Sequence, residues 1–310
     1  MTIVDLAHSF KVNPIKIKTI KNMKTGHASK TAEAAIRANH YLNNTNPVFS
    51  DPYAWKMTSS GWRTLLSNPL FMKAFNSRLF NRSFGLLTAQ VTGRSIYAED
   101  WLSEAIELGV QQYVMIGAGL DSFVLRQAAL YPELKIYELD HPDTQALKIN
   151  KLRLLGKIPN NVEFVPIDFE NEAISTALQH SSFESKQTSF FSWLGTTHYI
   201  KPEITLATLQ NIASYAAPNS ELVLDYSLDY TTLKGIERVG ALALSKFTHI
   251  LNEPIVGALN TEHLHQALFQ MGYIVLEDLS DKEITERYFH QRADSIQHTQ
   301  ATHLLRIMIT

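Results

Sequence analysis

Five short apolar runs set the rhythm of this chain: residues 112–117, 135–140, 162–168, 189–195 and 221–227. Between them lie 121–131, 143–155, 171–179 and 201–216, each with apolar residues at helical spacing and with Asp, Asn or Pro near its start. The runs are rich in Val, Ile, Leu, Tyr and Phe and show little polar alternation, as strands do when helices cover both faces. Strand and helix alternating in this way predict a doubly wound, mostly parallel α/β sheet.

The rhythm stops after the fifth run. Residues 230–261 hold a helix-like stretch at 240–251 followed by Pro254 and Gly257, which reads as an inserted cover. Two strand-like segments, 272–279 and 303–309, then flank a polar stretch with no evident crossover helix, so they are expected to form an antiparallel pair at one sheet edge. The first hundred residues have no strand-like run and look helical over 29–41 and 68–101. They are expected to cap the carboxyl edge of the sheet. The whole reads as one seven-stranded domain: a helical cap at 1–100, a ligand-binding core at 101–229, a cover at 230–265 and a strand pair at 266–310.

Composition narrows the partners. With 28 Lys+Arg against 30 Asp+Glu, the chain has no bulk field to draw it to nucleic acid or an anionic membrane. The lysines at 11, 16, 18, 21, 24 and 30 are thinly spread, and read as a solvated face rather than a polyanion-binding arm. The absence of cysteine excludes disulfides, thiolate metal sites and a cysteine nucleophile, and suits a reducing compartment. The first ten residues carry no long apolar run, so a cytoplasmic protein is expected. His263 and His265 stand two apart and point to different sides of a helix, so no metal site is expected.

The ligand site should lie outside the carboxyl ends of the strands. There the first run ends in Gly117-Ala118-Gly119-Leu120-Asp121, a turn whose glycines let backbone approach a ligand. The second run ends in Asp140, 23 residues after Gly117, where a carboxylate accepts hydrogen bonds from ribose hydroxyls. A dinucleotide loop would carry a third glycine where Ser122 stands, so an adenosyl ligand without phosphates fits better than NAD. Asp168 and Phe169 follow the third run and offer an acceptor and a stacking ring for adenine. After the fourth run, Trp193-Leu194-Gly195-Thr196-Thr197-His198-Tyr199 gathers polar and aromatic groups where a transferred group would lie. These residues alone leave three readings open: a methyltransferase, an NAD(P)-dependent oxidoreductase, and a non-catalytic adenosyl-binding protein.

The order of motifs resembles the leucine carboxyl methyltransferase-like group of class I methyltransferases over residues 29–227. The resemblance runs through Thr31-Ala32, Arg37-Ala38, Phe49-Ser50-Asp51-Pro52-Tyr53-Ala54, Gly93-Arg94, Gly117 to Ser122, Tyr137-Glu138-Leu139-Asp140 with Pro142 and Lys148, Pro166-Ile167-Asp168, and Trp193-Leu194-Gly195 with Tyr199-Ile200. It implies S-adenosyl-L-methionine as cofactor. It further implies that Arg94 grips the methionine carboxylate with help from Lys30, that Gly117, Ala118 and Gly119 pass close to the ligand, that Asp140 holds the ribose, and that Asp168 and Phe169 bracket the adenine. Leu194 stands where many relatives carry a glutamate near the ligand's amino-acid end. The reaction therefore carries over while the acceptor stays open: a carboxylate or hydroxyl of a small molecule or a peptide terminus, methylated on oxygen. A carboxylate needs no base at neutral pH, whereas a hydroxyl would call on His198 or Tyr199. Tyr199 and Tyr226 are expected to line the pocket.

Overall fold

The computed structural model describes residues 27–156, 158–169, 171–229, 231, 233, 235, 237, 238 and 254–310, with backbone only for 27, 28 and 78–84. Within these residues seven strands form one sheet: β1 (Gln112–Ile116), β2 (Lys135–Asp140), β3 (Val162–Pro166), β4 (Phe190–Trp193), β5 (Glu221–Ser227), β6 (Tyr273–Leu279) and β7 (Thr302–Ile309). The order is β3-β2-β1-β4-β5-β7-β6. The first five strands are parallel, and β7 runs antiparallel between β5 and β6. The expected antiparallel pair is therefore present, with β7 one place in from the edge. The polar stretch between its strands holds α11 (Asp281–Phe289), started by a reciprocal Ser280–Glu283 cap.

Strand alternation sorts the core. Val114 and Ile116 face one apolar layer with Tyr137, Leu139, Phe191 and Trp193, while Tyr113 and Met115 face the other with Ile136 and Phe190. Both layers are closed, which is why every residue of β1 is buried.

The helices follow local chemistry. α7 (Pro142–Leu155) and α9 (Pro202–Tyr215) each open with proline in the first turn, where a missing N–H costs nothing. The helix expected over 121–131 is only α6 (Phe123–Arg126); residues 127–130 continue as turns to Tyr131, which precedes Pro132 and is itself kept out of helical backbone. The stretch 68–101 is two helices: α4 (Pro69–Phe75), capped by Asn68, and α5 (Arg78–Glu107), which ends before Gly109 at a φ of 96°. α1 (His27–Asn43) leads the described chain. The helix-like run at 240–251, most of the expected cover and the lysines at 11–24 lie outside the described residues. Among the described residues no helix is long and apolar enough to cross a membrane.

One buried histidine gives the fold a pH signature. His298 faces the thin side of α5 at Gly93, and its Nε2 has no hydrogen-bond partner among the described residues. Burial lowers its pKa from 6.5 to about 4. Because the folded value lies below the unfolded one, its contribution is complete above pH 6.5 and is lost as pH falls toward 4. Urea titrations at pH 7 and 4.5 should show the wild type losing roughly 2 kcal/mol more than His298→Leu on acidification. Parallel pH profiles would remove His298 from this role.

Candidate functional site

Strand order reverses between β1 and β4, so their connections leave in opposite directions and open a crevice at the carboxyl ends of the two strands. A cavity of about 710 Å³ fills it, within the range of small-molecule sites. The loop 117–121 forms one wall and the segment 194–201 the opposite one. α1 contributes Lys30, Glu33 and Arg37, α5 contributes Arg94, and Pro254 and Val256 close a further side.

The glycines are needed where the walls meet. Gly117 has a φ of 68°, and a Cβ there would lie 2.3 Å from Thr196 Oγ1 on the opposite wall. The loop is fastened to the sheet by the amides of Gly117 and Ala118, which donate to the Leu139 carbonyl at 2.8 and 3.0 Å. Behind it, the buried Asp51 carboxylate accepts from Arg37 Nε at 3.0 Å and from Ser122 Oγ at 2.6 Å, while Arg37 Nη2 donates to the Leu120 carbonyl at 3.0 Å. The Arg37 and Asp51 motifs thus brace the glycine loop from behind. Below it lies the buried pair Lys148–Glu138 at 2.6 Å; burial pushes the Glu138 carboxyl up to about 7, with Lys148 opposing that shift.

Asp140 ends β2 and is nearly buried. Its Oδ2 accepts the Gly119 amide at 2.6 Å, and its Oδ1 accepts Lys30 Nζ at 2.7 Å. The acid stands one layer behind the cavity surface, which Lys30 and Gly119 form. Asp168 and Phe169 are also set back: Asp168 Oδ2 accepts Asn171 Nδ2 at 2.9 Å and Asn171 is the cavity residue, while Phe169 packs against the core. Ala118, Gly119, Leu194 and Tyr199 all line the cavity.

A second carboxylate organises the opposite wall. Asp225 of β5 accepts the Gly195 amide on Oδ1 at 2.6 Å, and its Oδ2 faces Arg94 Nη1 at 3.2 Å and His198 Nε2 at 3.0 Å. Arg94 Nη2 donates to Glu33 Oε2 at 2.6 Å. Burial by itself would lower the Arg94 pKa, and the two acids more than offset it, so the guanidinium is held charged. Burial alone would raise the Asp225 pKa; Arg94 and His198 drive it far below the usual carboxylate range. His198 Nδ1 lies 2.6 Å from Ser227 Oγ, so both ring nitrogens are engaged inside the protein and the ring is not part of the cavity surface. Tyr226 was expected to line the pocket and does not: one residue along from Asp225, it points to the other face, where its hydroxyl donates to Asp278 Oδ2 at 2.8 Å.

The comparisons fit this architecture. The leucine carboxyl methyltransferase family model matches residues 30–213. The chain belongs to that family. A Bacillus subtilis protein named "Putative S-adenosyl-L-methionine-dependent methyltransferase YktD" is 34% identical over 216 residues, covering 68% of this chain and 70% of that protein. A Mycobacterium marinum relative is 26% identical over 204 residues, covering 65% and 66%. Among solved structures, a Thermobifida fusca "putative methyltransferase" aligns with a TM-score of 0.58 at 12% identity over 93% of this chain and all of that one. A Streptomyces avermitilis DUF574 protein aligns at 0.54 and 12% identity, covering 89% and 97%; both carry the same fold.

In this leucine carboxyl methyltransferase family member, inspection of the sequence missed Glu33 and Asp225. Asp225 left a signal, an acid set in the buried middle of its strand between Leu222-Val223-Leu224 and Tyr226, where burial without partners is too costly to tolerate. Glu33 left none, because charged residues on the face of an N-terminal helix are ordinary.

Proposed function

We propose that this protein is an S-adenosylmethionine-dependent O-methyltransferase whose acceptor presents a carboxylate. When bound, the cofactor supplies a methyl group on a sulfonium, already activated for in-line displacement. The chain's own residues fit an adenosyl amino acid. Gly117 and Gly119 offer bare backbone, Asp140 offers a carboxylate behind Gly119, and Arg94 offers a charged fork for a carboxylate. No phosphate cradle is needed by such a ligand, in keeping with Ser122 at the third position of the loop.

One observation favours a carboxylate over a hydroxyl acceptor. No histidine lines the cavity among the described residues, and its two acids, Glu33 and Asp121, are each held by an arginine or a backbone amide. Burial would raise the Asp121 pKa, and Arg37 and Arg126 bring it below the ordinary value, so it is a poor base. A hydroxyl acceptor needs a proton removed, whereas a carboxylate is already ionised at neutral pH. The work left to the protein is to hold donor and acceptor in line and exclude water. His198 and Tyr199 then position the wall rather than move a proton.

Calorimetry with S-adenosylhomocysteine and with NAD, followed by labelled methyl transfer to a panel of carboxylates and hydroxyls, tests this reading. S-adenosylhomocysteine binding and transfer to carboxylates are expected; NAD binding with no response to S-adenosylhomocysteine would overturn it. Asp140→Ala should weaken S-adenosylhomocysteine by about 1.5–3 kcal/mol, because it removes the charged acceptor that fixes Gly119 and Lys30 at the cavity surface. Unchanged affinity in the folded variant would take Asp140 out of the site.

A further inference from the structure

We infer that Glu33 recognises the α-ammonium group at the amino-acid end of the S-adenosyl ligand, exchanging its present partner Arg94 for that ammonium as the ligand enters. The inference rests on the cofactor reading above and adds a residue with a specific role to it.

An α-amino acid arrives as a zwitterion, and in a water-poor cavity both ends need partners of opposite charge. Two carboxylates line this cavity among the described residues. Asp121 is committed: its Oδ1 accepts the Phe123 amide at 2.7 Å and lies 3.5 Å from Arg126. Glu33 is placed differently. Its Oε2 holds Arg94 Nη2 at 2.6 Å, its Oε1 has no hydrogen-bond partner among the described residues, and the side chain keeps 23% exposure at the cavity surface. Leu194, on the facing wall, is apolar and offers no acceptor.

The exchange leaves no charge stranded. Arg94 is pinned from behind by Asp225 and faces the cavity through its contact with Glu33. A ligand carboxylate on Arg94 and a ligand ammonium on Glu33 would replace one ion pair by two, so neither side chain is left buried and uncompensated. Lys30, one turn earlier on the same face of α1, makes the matching contact with Asp140. The first turns of α1 therefore present a cation to the acid read as the ribose anchor and an anion to the arginine read as the carboxylate anchor.

The test is calorimetry of two ligands on wild type and Glu33→Gln: S-adenosylhomocysteine, and its deaminated analogue with the same nucleoside, thioether and carboxylate. The substitution removes the charge but keeps an oxygen for Arg94, and so keeps α1 docked. Wild type should prefer the amine-bearing ligand by about tenfold or more, as a charge-assisted contact gives. E33Q should lose most of that preference while its affinity for the deaminated analogue changes by less than about threefold. Equal weakening of both ligands in E33Q would make Glu33 a structural residue and overturn the inference, as would a wild type that does not distinguish them. Binding of neither ligand to wild type would overturn the cofactor reading, and this inference with it.

Discussion

Asp225→Ala should cost about 3–5 kcal/mol of folding stability, the range for removing one partner of a buried ion pair. The carboxylate is 1% exposed and ties together three pieces of chain: Arg94 from α5, the Gly195 amide after β4, and His198 in the turn that follows. Without it Arg94 keeps only Glu33, and the Gly195 amide loses its acceptor. Against a total stability of about 5–15 kcal/mol, that loss is large. Asp225→Asn keeps the shape and one acceptor oxygen, so it should fall between wild type and alanine. Denaturant midpoints at constant m-value would measure the series, and an alanine variant as stable as wild type would show that the network adds nothing net.

The second large effect belongs to Gly257→Ala. The amides of Val256 and Gly257 both donate to the His198 carbonyl, at 2.9 and 3.0 Å, and this holds the 254–259 segment against the turn after β4. A Cβ on Gly257 would sit 1.8 Å from the Thr197 carbonyl oxygen and 2.5 Å from that of Ile200. Those atoms are backbone, so no rotamer change relieves the clash and the segment must lift away. Overpacking of this kind typically costs about 1–3 kcal/mol. Lifting also moves Pro254 and Val256, which form part of the cavity wall. Displacing a positioning wall by about 1 Å is enough for up to a hundredfold loss of rate, so methyl transfer should fall by on the order of tenfold or more. Gly61→Ala is the control: its Cβ would come no nearer than 3.9 Å to other atoms, and alanine favours its helix, Ser60–Leu66. Thermal unfolding and labelled transfer on both variants would decide the matter; a Gly257→Ala protein matching Gly61→Ala in both would mean the segment is not packed as described.

The pattern of apolar runs is legible from sequence because a strand covered on both faces must be apolar throughout, as the fully buried β1 is. The glycine loop and Asp140 are legible for a similar reason, since strand ends in such sheets are where backbone must turn and where ligands are met. Helix lengths are less so. Neither the stop of α6 at Arg126 nor the break between α4 and α5 follows from apolar spacing, which reports the buried face of a helix and not where the helix ends. The role of Arg37 and Asp51 was visible only as family likeness; their bracing of Leu120 and Ser122 joins residues more than 70 positions apart.

The chain's own order of residues thus determined the sheet, the place of the crevice and the residues at its glycine-rich lip, since these follow from periodicity and from local backbone requirements. Tertiary structure alone decided which charges meet there. Lys30 covers Asp140, Glu33 holds Arg94, and Asp225 turns His198 inward, off the cavity surface. Such pairings join the helix from the first fifty residues to a second helix 61 positions on and to a strand end 110 positions on, and a strand to a turn 27 positions before it, and no local pattern carries those distances. The physical reason is desolvation: a charge committed to the interior takes whichever opposite charge the packed fold brings within reach, and spacing along the sequence does not identify it.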